Sequence, residues 1–324
     1  MRVSEIKATN SPDALASNPK PAEATAWESG GHPSGERDWN PAGHPFAPAL
    51  ELKPTEPSPL ISAPCTQVQL TSRNFVWWRE SLRIRQLRFH RKDWEWAFIC
   101  QALYERNCLQ QGKRGLGFAV GREPLPSLFA SLGCRILATD MPADDAQKAG
   151  WTQSRQHCEE LDSLNRRGIC NPAAFAERVE FRHVDMRHLP DDLRQYDFLW
   201  SSCSIEHLGS LGAGLDFVKK SLACLKPGGV AIHTTEYNCD SNDATLDSGP
   251  VILYRRRDFE ALAKELRGQG HGITLGFELG NEIADKHIQS KPYTNDVHLK
   301  LLLSGFVATS YGLIVQKGRD SFSG

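Results

Sequence analysis

The sequence has no long apolar run, no closely paired cysteines and almost no net charge. The amino-terminal stretch MRVSEIKATNSPDALA lacks the apolar segment of a secretory signal, and no run of about 18 or more apolar residues follows. We therefore expect a cytoplasmic protein with no membrane span. A formal net charge of -1 gives no overall attraction to nucleic acid or to an anionic membrane. The nine cysteines include no C-x-x-C pair, which predicts reduced thiols and no metal site.

Composition divides the chain into three parts. Residues 1–66 are rich in proline, alanine and serine and show neither helical nor strand periodicity, which predicts a disordered tail. A proline-rich docking motif is the alternative interpretation of this segment. Residues 67–112 are predicted to form an N-terminal helical cover, and residues 113–324 a larger domain in which strands and helices alternate.

The predicted cover contains an amphipathic helix. A helical apolar spacing, with a possible cap at Asp93, is formed by Trp96, Ile99, Cys100 and Leu103. Arginines are interleaved with aromatic residues around this helix, which leaves open a nucleic-acid surface with stacking platforms. Those arginines are Arg79, Arg83, Arg85, Arg88 and Arg91.

Short apolar runs that alternate with helical patterns predict the fold of the larger domain. The strand candidates are RGLGFAV, CRILATD, RVEFRHVD, YDFLWSSCS, GGVAIHTTE, ITLGFELG and FVATSYGLIVQ. Strands joined by helices give right-handed crossovers and a parallel sheet with both faces covered. We therefore predict a Rossmann-like, doubly wound α/β fold, with a mostly parallel seven-stranded sheet and an antiparallel last strand.

Small and acidic residues at the ends of the first three strands predict a nucleoside site. The small residues of GLGFAVG let the chain turn tightly from the first strand into a helix. Asp140 closes the second strand nineteen positions after Gly121, where a carboxylate can accept both hydroxyls of a ribose. Asp185 closes the third strand, where it can accept an adenine amino hydrogen while Met186 packs on the ring. The predicted cofactor-binding residues are Gly117, Ala119, Gly121, Asp140, Asp185 and Met186.

These segments together resemble the class I S-adenosylmethionine-dependent methyltransferases, from about Lys113 to Lys317. GLGFAVG resembles the first motif of the family, VDMRHLP the third, YDFLWSSCSIEHLGS the fourth, and LACLKPGGVAIHTTE the helix, turn and strand that follow. The resemblance implies that residues 113–324 are a methyltransferase domain and that S-adenosylmethionine is the cofactor. The family usually has an acid two positions before the first glycine, where this chain has Gly115.

Groups at the ends of the fourth and fifth strands are candidates for catalysis, because methyl transfer to a hydroxyl needs a positioned nucleophile and a base. We predict that His207 removes the acceptor proton, with Glu206 orienting it or contacting the acceptor. The alternative is that SIEHLGS only begins a helix. Glu236 and Asn238 are further site candidates, whereas His233 is predicted to be an interior histidine.

The predicted function is methyl transfer from S-adenosylmethionine to a polar small-molecule acceptor, at a hydroxyl oxygen of a sugar or glycan-like group. The polar stretch NCDSNDATLDSGP and the helical cover are expected to close over this site. Two alternatives stay open. Gly115 and Ala119 suggest a catalytically silent, methyltransferase-like binding protein, and the arginines suggest an RNA methyltransferase.

Overall fold

The computed structural model describes residues 59–84, 88–142, 158, 161–293 and 297–319. Most of the predicted tail, residues 1–58, and Arg85 of the predicted basic surface lie outside the described residues. In chain order the helices and strands are β1 (Ala63–Pro64), α1 (Gln67–Thr71), α2 (Arg73–Ser81), β2 (Phe89–His90), α3 (Arg91–Glu105), β3 (Arg114–Phe118), α4 (Leu125–Ser131), β4 (Arg135–Asp140), α5 (Pro172–Arg178), β5 (Val179–His183), β6 (Tyr196–Ser202), α6 (Leu211–Ser221), β7 (Leu225–Asn238), α7 (Arg256–Gly268), α8 (Ile283–Lys286), β8 (Ile288–Gln289), β9 (Val297–His298), β10 (Lys300–Leu303) and β11 (Phe306–Gln316).

A mixed sheet organises the described chain, with strands in the order β5-β4-β3-β6-β7-β11-β10-β8 and β1 paired to β11. The strands β3 to β7 are parallel to one another. The last strand, β11, is antiparallel to both β7 and β10. The predicted mostly parallel α/β sheet with an antiparallel last strand is therefore confirmed. Over the described residues the sheet has nine strands: six of the seven predicted strands form, and β1, β8 and β10, of two, two and four residues, are too short to show periodicity.

One predicted strand is wrong. The stretch ITLGFELG, residues 273–280, forms only an isolated bridge, between Leu275 and Ser62, and the strand beside β11 is β10 instead. The apolar side chains at alternate positions of this stretch pack on the core from a loop: Ile273, Leu275, Phe277 and Leu279. A loop that lies on the core thus produces the same period of two as a strand does.

The end of the predicted tail is ordered. Ala63 and Pro64 form β1 against β11, and Ser62 donates its backbone N–H to the carbonyl of Thr274 at 3.0 Å. Residues of the predicted tail just before residue 66 thus take part in the sheet. Backbone hydrogen bonds hold this segment, and such bonds leave no apolar pattern in the sequence.

Two apolar cores cover the two faces of the sheet. Side chains alternate along a strand, so Phe198 and Trp200 of β6 belong to the core that includes α1 to α4. Leu199, between them, belongs to the core that includes α6 and α7. Because the strands are buried on both faces, only their carboxyl ends and the loops after them can offer polar side chains to a ligand.

The predicted helix of the cover is confirmed as α3, but its cap is not Asp93. The helix begins at Arg91, and the N-cap is His90, whose Nδ1 accepts a hydrogen bond from the backbone of Lys92 at 3.1 Å. The carboxylate of Asp93 instead accepts two hydrogen bonds from Arg88, each of 3.0 Å. Asp93 therefore binds Arg88, which precedes the helix, instead of capping the helix.

Helix α3 packs directly on the sheet. A Cβ atom added to Gly312 of β11 would lie 2.2 Å from Cε1 of Phe98, so only glycine allows the helix to approach this closely. Arg91, in the first turn of α3, reaches Glu236 near the end of β7. The amino-terminal part of α3 thus lies over the carboxyl ends of the strands.

The arginines of the predicted basic surface are engaged within the protein. Arg79 and Arg88 both bind Asp93, whose side chain is fully buried, and Arg91 pairs with Glu236. Arg79 and Arg91 are themselves buried. Two carboxylates of the same chain therefore bind these three arginines, which leaves less of the predicted basic surface for RNA.

Candidate active site

The turn after β3 has the backbone conformation that its small residues predict. Ala119 and Gly121 both adopt positive φ angles, of 48° and 51°. Gly117 has a different reason to be small, because an added Cβ would lie 2.4 Å from Cζ2 of Trp200 and 2.6 Å from Cγ1 of Val120. The first glycine of the motif thus makes room for core packing, whereas the later residues shape the turn.

Asp140 lies directly against this turn. Its Oδ2 accepts the backbone N–H of Gly121 at 3.1 Å and that of Cys158 at 3.0 Å, and its Oδ1 accepts that of Met141 at 2.8 Å. The residue is only 5% exposed. A carboxylate has about four acceptor positions, so a ribose that uses both oxygens replaces at least one of these donors.

Asp185 and Met186 follow the neighbouring strand at the same edge of the sheet. Val184 donates its N–H to the carbonyl of Asp140 at 2.8 Å, which holds the two strand ends together. The Asp185 carboxylate is engaged by Arg187, through the backbone N–H at 2.9 Å and Nη2 at 2.9 Å. Burial raises the pKa of Asp185, but the hydrogen bonds from Arg187 outweigh this effect and lower the pKa to about 2. An adenine amino group would therefore meet an ionised acceptor that already has partners.

The relative positions of Asp140 and Asp185 fit an adenosine group. The carboxylate predicted to bind ribose touches the glycine turn, and the acid predicted to bind adenine follows the next strand. In doubly wound sheets, ligands bind outside the carboxyl ends of the strands at this kind of turn. Gly121 and Asp140 are in contact at the turn that also contains Ala119, and Asp185 and Met186 follow the strand paired with β4. Gly117 leads into the same turn, and the space beside its Cα is filled by Trp200.

Buried polar side chains meet where β6, β7 and β11 approach the first turns of α3. Glu95 of α3 pairs with Lys92 at 2.7 Å and accepts hydrogen bonds from Ser310 at 2.6 Å and Ser202 at 3.4 Å. The Glu95 side chain is 1% exposed. Helix α3 is thus tied to the end of β6 and the start of β11 by one carboxylate.

A second set of contacts extends this polar region. Arg91 forms a short ion pair with Glu236, and Glu206 accepts a hydrogen bond from Thr235 at 3.0 Å. Cys203 has a positive φ of 46°, which strains a residue other than glycine and is typical of functional sites. We name the ionisable members of this region the acceptor-side cluster: Arg91, Lys92, Glu95, Cys203, Glu206 and Glu236.

The charges of the acceptor-side cluster balance when Glu206 holds a proton. Burial and the neighbouring Glu236 raise the pKa of Glu206. Burial also raises the pKa of Glu95, but Lys92 and Arg91 outweigh it, so this pKa is lowered and Glu95 is ionised. Two cations then face two carboxylates and one neutral acid. The cluster can therefore offer both hydrogen-bond donors and acceptors to a polar ligand.

The predicted base, His207, is half-buried in the turn Ile205–His207 after β6. Its Nδ1 lies 2.7 Å from the carbonyl oxygen of Pro250, so Nδ1 carries the hydrogen and Nε2 the lone pair. Burial lowers the pKa of His207 to about 4, which keeps the ring neutral near pH 7. The imidazole is oriented by Pro250, while Glu206 bonds to Thr235 instead.

Other candidate residues have structural roles. His233 is fully buried, with Nδ1 at 2.8 Å from the hydroxyl of Ser201, and burial lowers its pKa to about 3, as expected of an interior histidine. Asn238 holds the polar loop after β7, donating to Ala244 at 3.0 Å and accepting from Asp240 at 3.0 Å. Of the two site candidates predicted near the end of β7, only Glu236 therefore belongs to the acceptor-side cluster.

Three members of the cluster have the donor atoms of a metal site. The sulfur of Cys203 and carboxylate oxygens of Glu206 and Glu236 lie within 4.8 Å of one another. However, Arg91 already pairs with Glu236, and the positive charge of Lys92 acts on both Cys203 and Glu206. These side chains supply the positive charge that a metal would bring, and we assign no metal here.

Several site residues are not identified by the sequence patterns. Helical periodicity places Lys92 and Glu95 in the covering helix but predicts no function for them. Cys203 is recognised from sequence only as one of nine scattered cysteines. Two signals are available: charges lie between apolar positions on α3, and Glu123 follows the glycine turn directly before Pro124. Glu123 is 6% exposed and accepts a hydrogen bond from Trp200 at 2.6 Å.

Comparison with known proteins gives similarity to solved structures only. No family model and no curated protein matches the chain. A magnesium protoporphyrin IX methyltransferase from Synechocystis PCC 6803, with bound SAH, is 10% identical with a TM-score of 0.43, covering 76% of this chain and 89% of its own. An S-adenosylmethionine-dependent methyltransferase from Clostridium acetobutylicum is 14% identical with a TM-score of 0.40, covering 75% and 97%.

The family suggested by the sequence motifs is thus also found among the similar structures. They also include the [4+2]-cyclase SpnF, 17% identical with a TM-score of 0.39, covering 68% of this chain and 83% of its own. Likeness at such identities and TM-scores says nothing about the reaction that this protein catalyses, which depends on the residues of its site. Among the described residues, no helix combines the length and the apolar character that a membrane span requires.

Proposed function

We propose that this protein is an S-adenosylmethionine-dependent methyltransferase that methylates a hydroxyl oxygen of a polar small molecule. One observation carries the proposal. The carboxylate of Asp140 touches the turn after β3, and the acceptor-side cluster lies where the carboxyl ends of β6 and β7 meet α3, at the same edge of the sheet. A nucleoside site beside a polar acceptor site is the arrangement that methyl transfer needs.

The cofactor part of the proposal rests on three strand ends. Ala119 and Gly121 let the backbone approach a ligand, Asp140 would bind the ribose, and Asp185 with Met186 would contact the adenine. S-adenosylmethionine supplies a methyl group on a positively charged sulfur, which leaves as a neutral thioether. The protein then needs only to hold the acceptor, exclude water and remove a proton.

The acceptor part rests on the chemistry of the acceptor-side cluster. Arg91 and Lys92 are donors, the three carboxyl groups are acceptors or, for Glu206, a donor, and hydroxyls of Ser202 and Thr235 lie beside them. A polyhydroxylated ligand offers donors and acceptors in similar number, as this cluster does. A sugar or glycan-like hydroxyl is therefore the acceptor that the cluster favours.

His207 is the proposed general base. It is neutral near pH 7, its Nδ1 is fixed by Pro250, and the tautomer leaves Nε2 as the proton acceptor. A pKa of about 4 makes it a weak base in the ligand-free protein, but a sulfonium leaving group demands little activation of the hydroxyl. Glu206 is proposed to contact the acceptor rather than to orient the histidine, because its carboxylate bonds to Thr235.

Calorimetry with S-adenosylmethionine and S-adenosylhomocysteine tests the cofactor site. We expect wild-type protein to bind both, and Asp140→Asn to bind both roughly 10 to 100 times more weakly, because a charge-assisted pair of hydrogen bonds contributes about 1.5–3 kcal/mol. Asp216→Asn, at an exposed carboxylate of α6, is the matched control and should bind as wild type does. Folded wild-type protein that binds neither ligand would exclude the proposal.

Transfer of labelled methyl in a cell extract, followed by mass spectrometry, tests the acceptor. We expect the label on a hydroxyl oxygen of a polar small molecule, with the rate reduced in His207→Gln while cofactor binding is unchanged. Label in RNA would establish the alternative acceptor class. Tight cofactor binding with no labelled product in any pool would instead indicate the catalytically silent binding protein.

A further inference from the structure

The acid expected before the glycine turn has no room in this protein. A Cβ atom added to Gly115 would lie 2.4 Å from Cζ of Phe198 and 2.8 Å from Cδ1 of Ile136. Both neighbours are buried members of the core, so neither can move away without leaving a void. The space where the resembled family places a carboxylate is thus filled by an aromatic ring.

A different carboxylate is buried close to the same turn. Glu123 lies between β3 and α4, and its backbone N–H bonds to the carbonyl of Val120 at 3.1 Å. Its Oε1 accepts the indole N–H of Trp200 at 2.6 Å, and Trp200 pairs with Gly117 across the neighbouring strands. The residue is only 6% exposed.

Glu123 is buried without a cation of its own. Within the described part of the chain, no arginine, lysine or histidine forms an ion pair with it, and Trp200 is its side-chain hydrogen-bond donor. The nearby ammonium of Lys92 is bound to Glu95 at 2.7 Å. A buried carboxyl group with one neutral donor is poorly compensated when it is ionised.

The groups that face Glu123 leave it protonated in the absence of ligand. Burial raises its pKa to about 8, with Asp140 of β4 and Glu95 of α3 adding to the rise. The hydrogen bond from Trp200 and the charge of Lys92 oppose it, and the thiol of Cys100 on α3 also faces it. Glu123 thus lies within electrostatic reach of both the predicted ribose carboxylate and the acceptor-side cluster.

We propose that Glu123 binds the α-ammonium group of S-adenosylmethionine and so replaces the carboxylate that Gly115 cannot provide. The inference rests on the proposed function. The sulfur of the cofactor carries the ribose, the reacting methyl group and the chain that ends in the ammonium, so the ammonium must lie close to both the ribose site and the acceptor site. Glu123 is a buried acid on which both Asp140 and members of the acceptor-side cluster, Glu95 and Lys92, act electrostatically. The ammonium supplies the missing cation, and Glu123 releases its proton to the solvent when the pair forms.

Calorimetry in two buffers of different ionisation enthalpy tests this pairing at pH 7. We expect S-adenosylhomocysteine to release close to one proton from wild-type protein on binding, and to release none from Glu123→Gln. The amide side chain of that variant keeps an oxygen for the Trp200 hydrogen bond, which should preserve the fold. Glu180→Gln, at an exposed carboxylate of β5, is the matched control and should release the wild-type proton.

Ligands that lack or keep the ammonium sharpen the test. 5′-Methylthioadenosine has no amino-acid part, so its binding to wild-type protein should release no proton and should be unaffected by E123Q. Decarboxylated S-adenosylmethionine keeps the ammonium and should lose roughly 10-fold or more in affinity in that variant, as should S-adenosylhomocysteine.

Two results would overturn the inference separately from the proposed function. These are proton release that is the same for S-adenosylhomocysteine and 5′-methylthioadenosine in wild-type protein, or an equal loss of affinity for both in E123Q. Failure of every adenosine ligand to bind wild-type protein would instead overturn the proposed function, and this inference with it.

Discussion

Removing Arg91 should destabilise the protein strongly, because it leaves the charge of Glu236 buried without its partner. The two side chains are 9% and 4% exposed and form a short ion pair that joins α3 to β7. Breaking a buried pair from one side typically lowers the free energy of unfolding by about 3–5 kcal/mol. Domains are stabilised by only about 5–15 kcal/mol, so Arg91→Met should lose a large part of the total.

A double-mutant cycle separates the pair from the packing around it. Arg91→Met and Glu236→Gln are compared singly and together by urea unfolding at pH 7. The double variant should be more stable than Arg91→Met, because no uncompensated charge remains when both partners are neutral. Arg182→Met, which breaks an exposed pair with Asp192, is the control and should unfold close to wild type.

The cycle can contradict the reasoning in two ways. A loss below about 1 kcal/mol in Arg91→Met would show that the ion pair contributes no more than a surface pair does. A double variant that equals the sum of the single variants would show that the two residues do not interact energetically. Either result would remove the basis for treating α3 as fixed to the strand ends by charge.

Two further predictions concern the core beneath the site. Gly117→Ala should lower the free energy of unfolding by roughly 1–3 kcal/mol, since the new Cβ would lie 2.4 Å from Trp200. Gly212→Ala, whose new Cβ would have its nearest contact at 4.0 Å, is the control and should cause no such loss. Equal urea midpoints for the two variants would contradict this prediction. Burial lowers the pKa of His233 to about 3. Below about pH 6.5 the unfolded state therefore binds more protons than the folded state, and the free energy of unfolding decreases as the pH is lowered. His233→Gln should reduce that fall and exposed His287→Gln should not, and superimposable curves for wild type and His233→Gln would refute the assignment.

The parallel strands of the central sheet could be predicted from sequence because each is largely buried on both faces. In YDFLWSS of β6 every residue except Asp197 is buried, and the helices between such strands carry a period of 3.6. The prediction failed where a local pattern has two physical origins. Apolar and other residues alternate in residues 273–280 because a loop packs every second side chain on the core. The sequence gives no sign that this stretch lacks a neighbouring strand to pair with.

Site residues could be predicted where they lie at the end of a predicted strand, but not where they come from a segment distant in sequence. Asp140, Asp185 and Glu206 each follow a predicted strand, so a shared edge is expected for them. Arg91 and Glu95 reach this edge from a helix that precedes the domain, and their partners, Glu236 and Ser310, are more than one hundred residues away in sequence. Such contacts depend on the packing of α3, which no local pattern encodes.

The acceptor-side cluster is better explained by binding than by stability. Desolvating two cations and three carboxyl groups is unfavourable, and apolar side chains of similar volume usually stabilise a fold as well or better. Here the charged groups meet at the carboxyl ends of the parallel strands, the edge at which Asp140 also lies. Burial and the neighbouring Glu236 raise the pKa of Glu206, so an ionised Glu206 is unfavourable here and adds no stabilising charge to the fold. We therefore infer that the cluster is a set of preorganised hydrogen-bond donors and acceptors for a polar ligand, since leaving buried polar groups without partners is unfavourable.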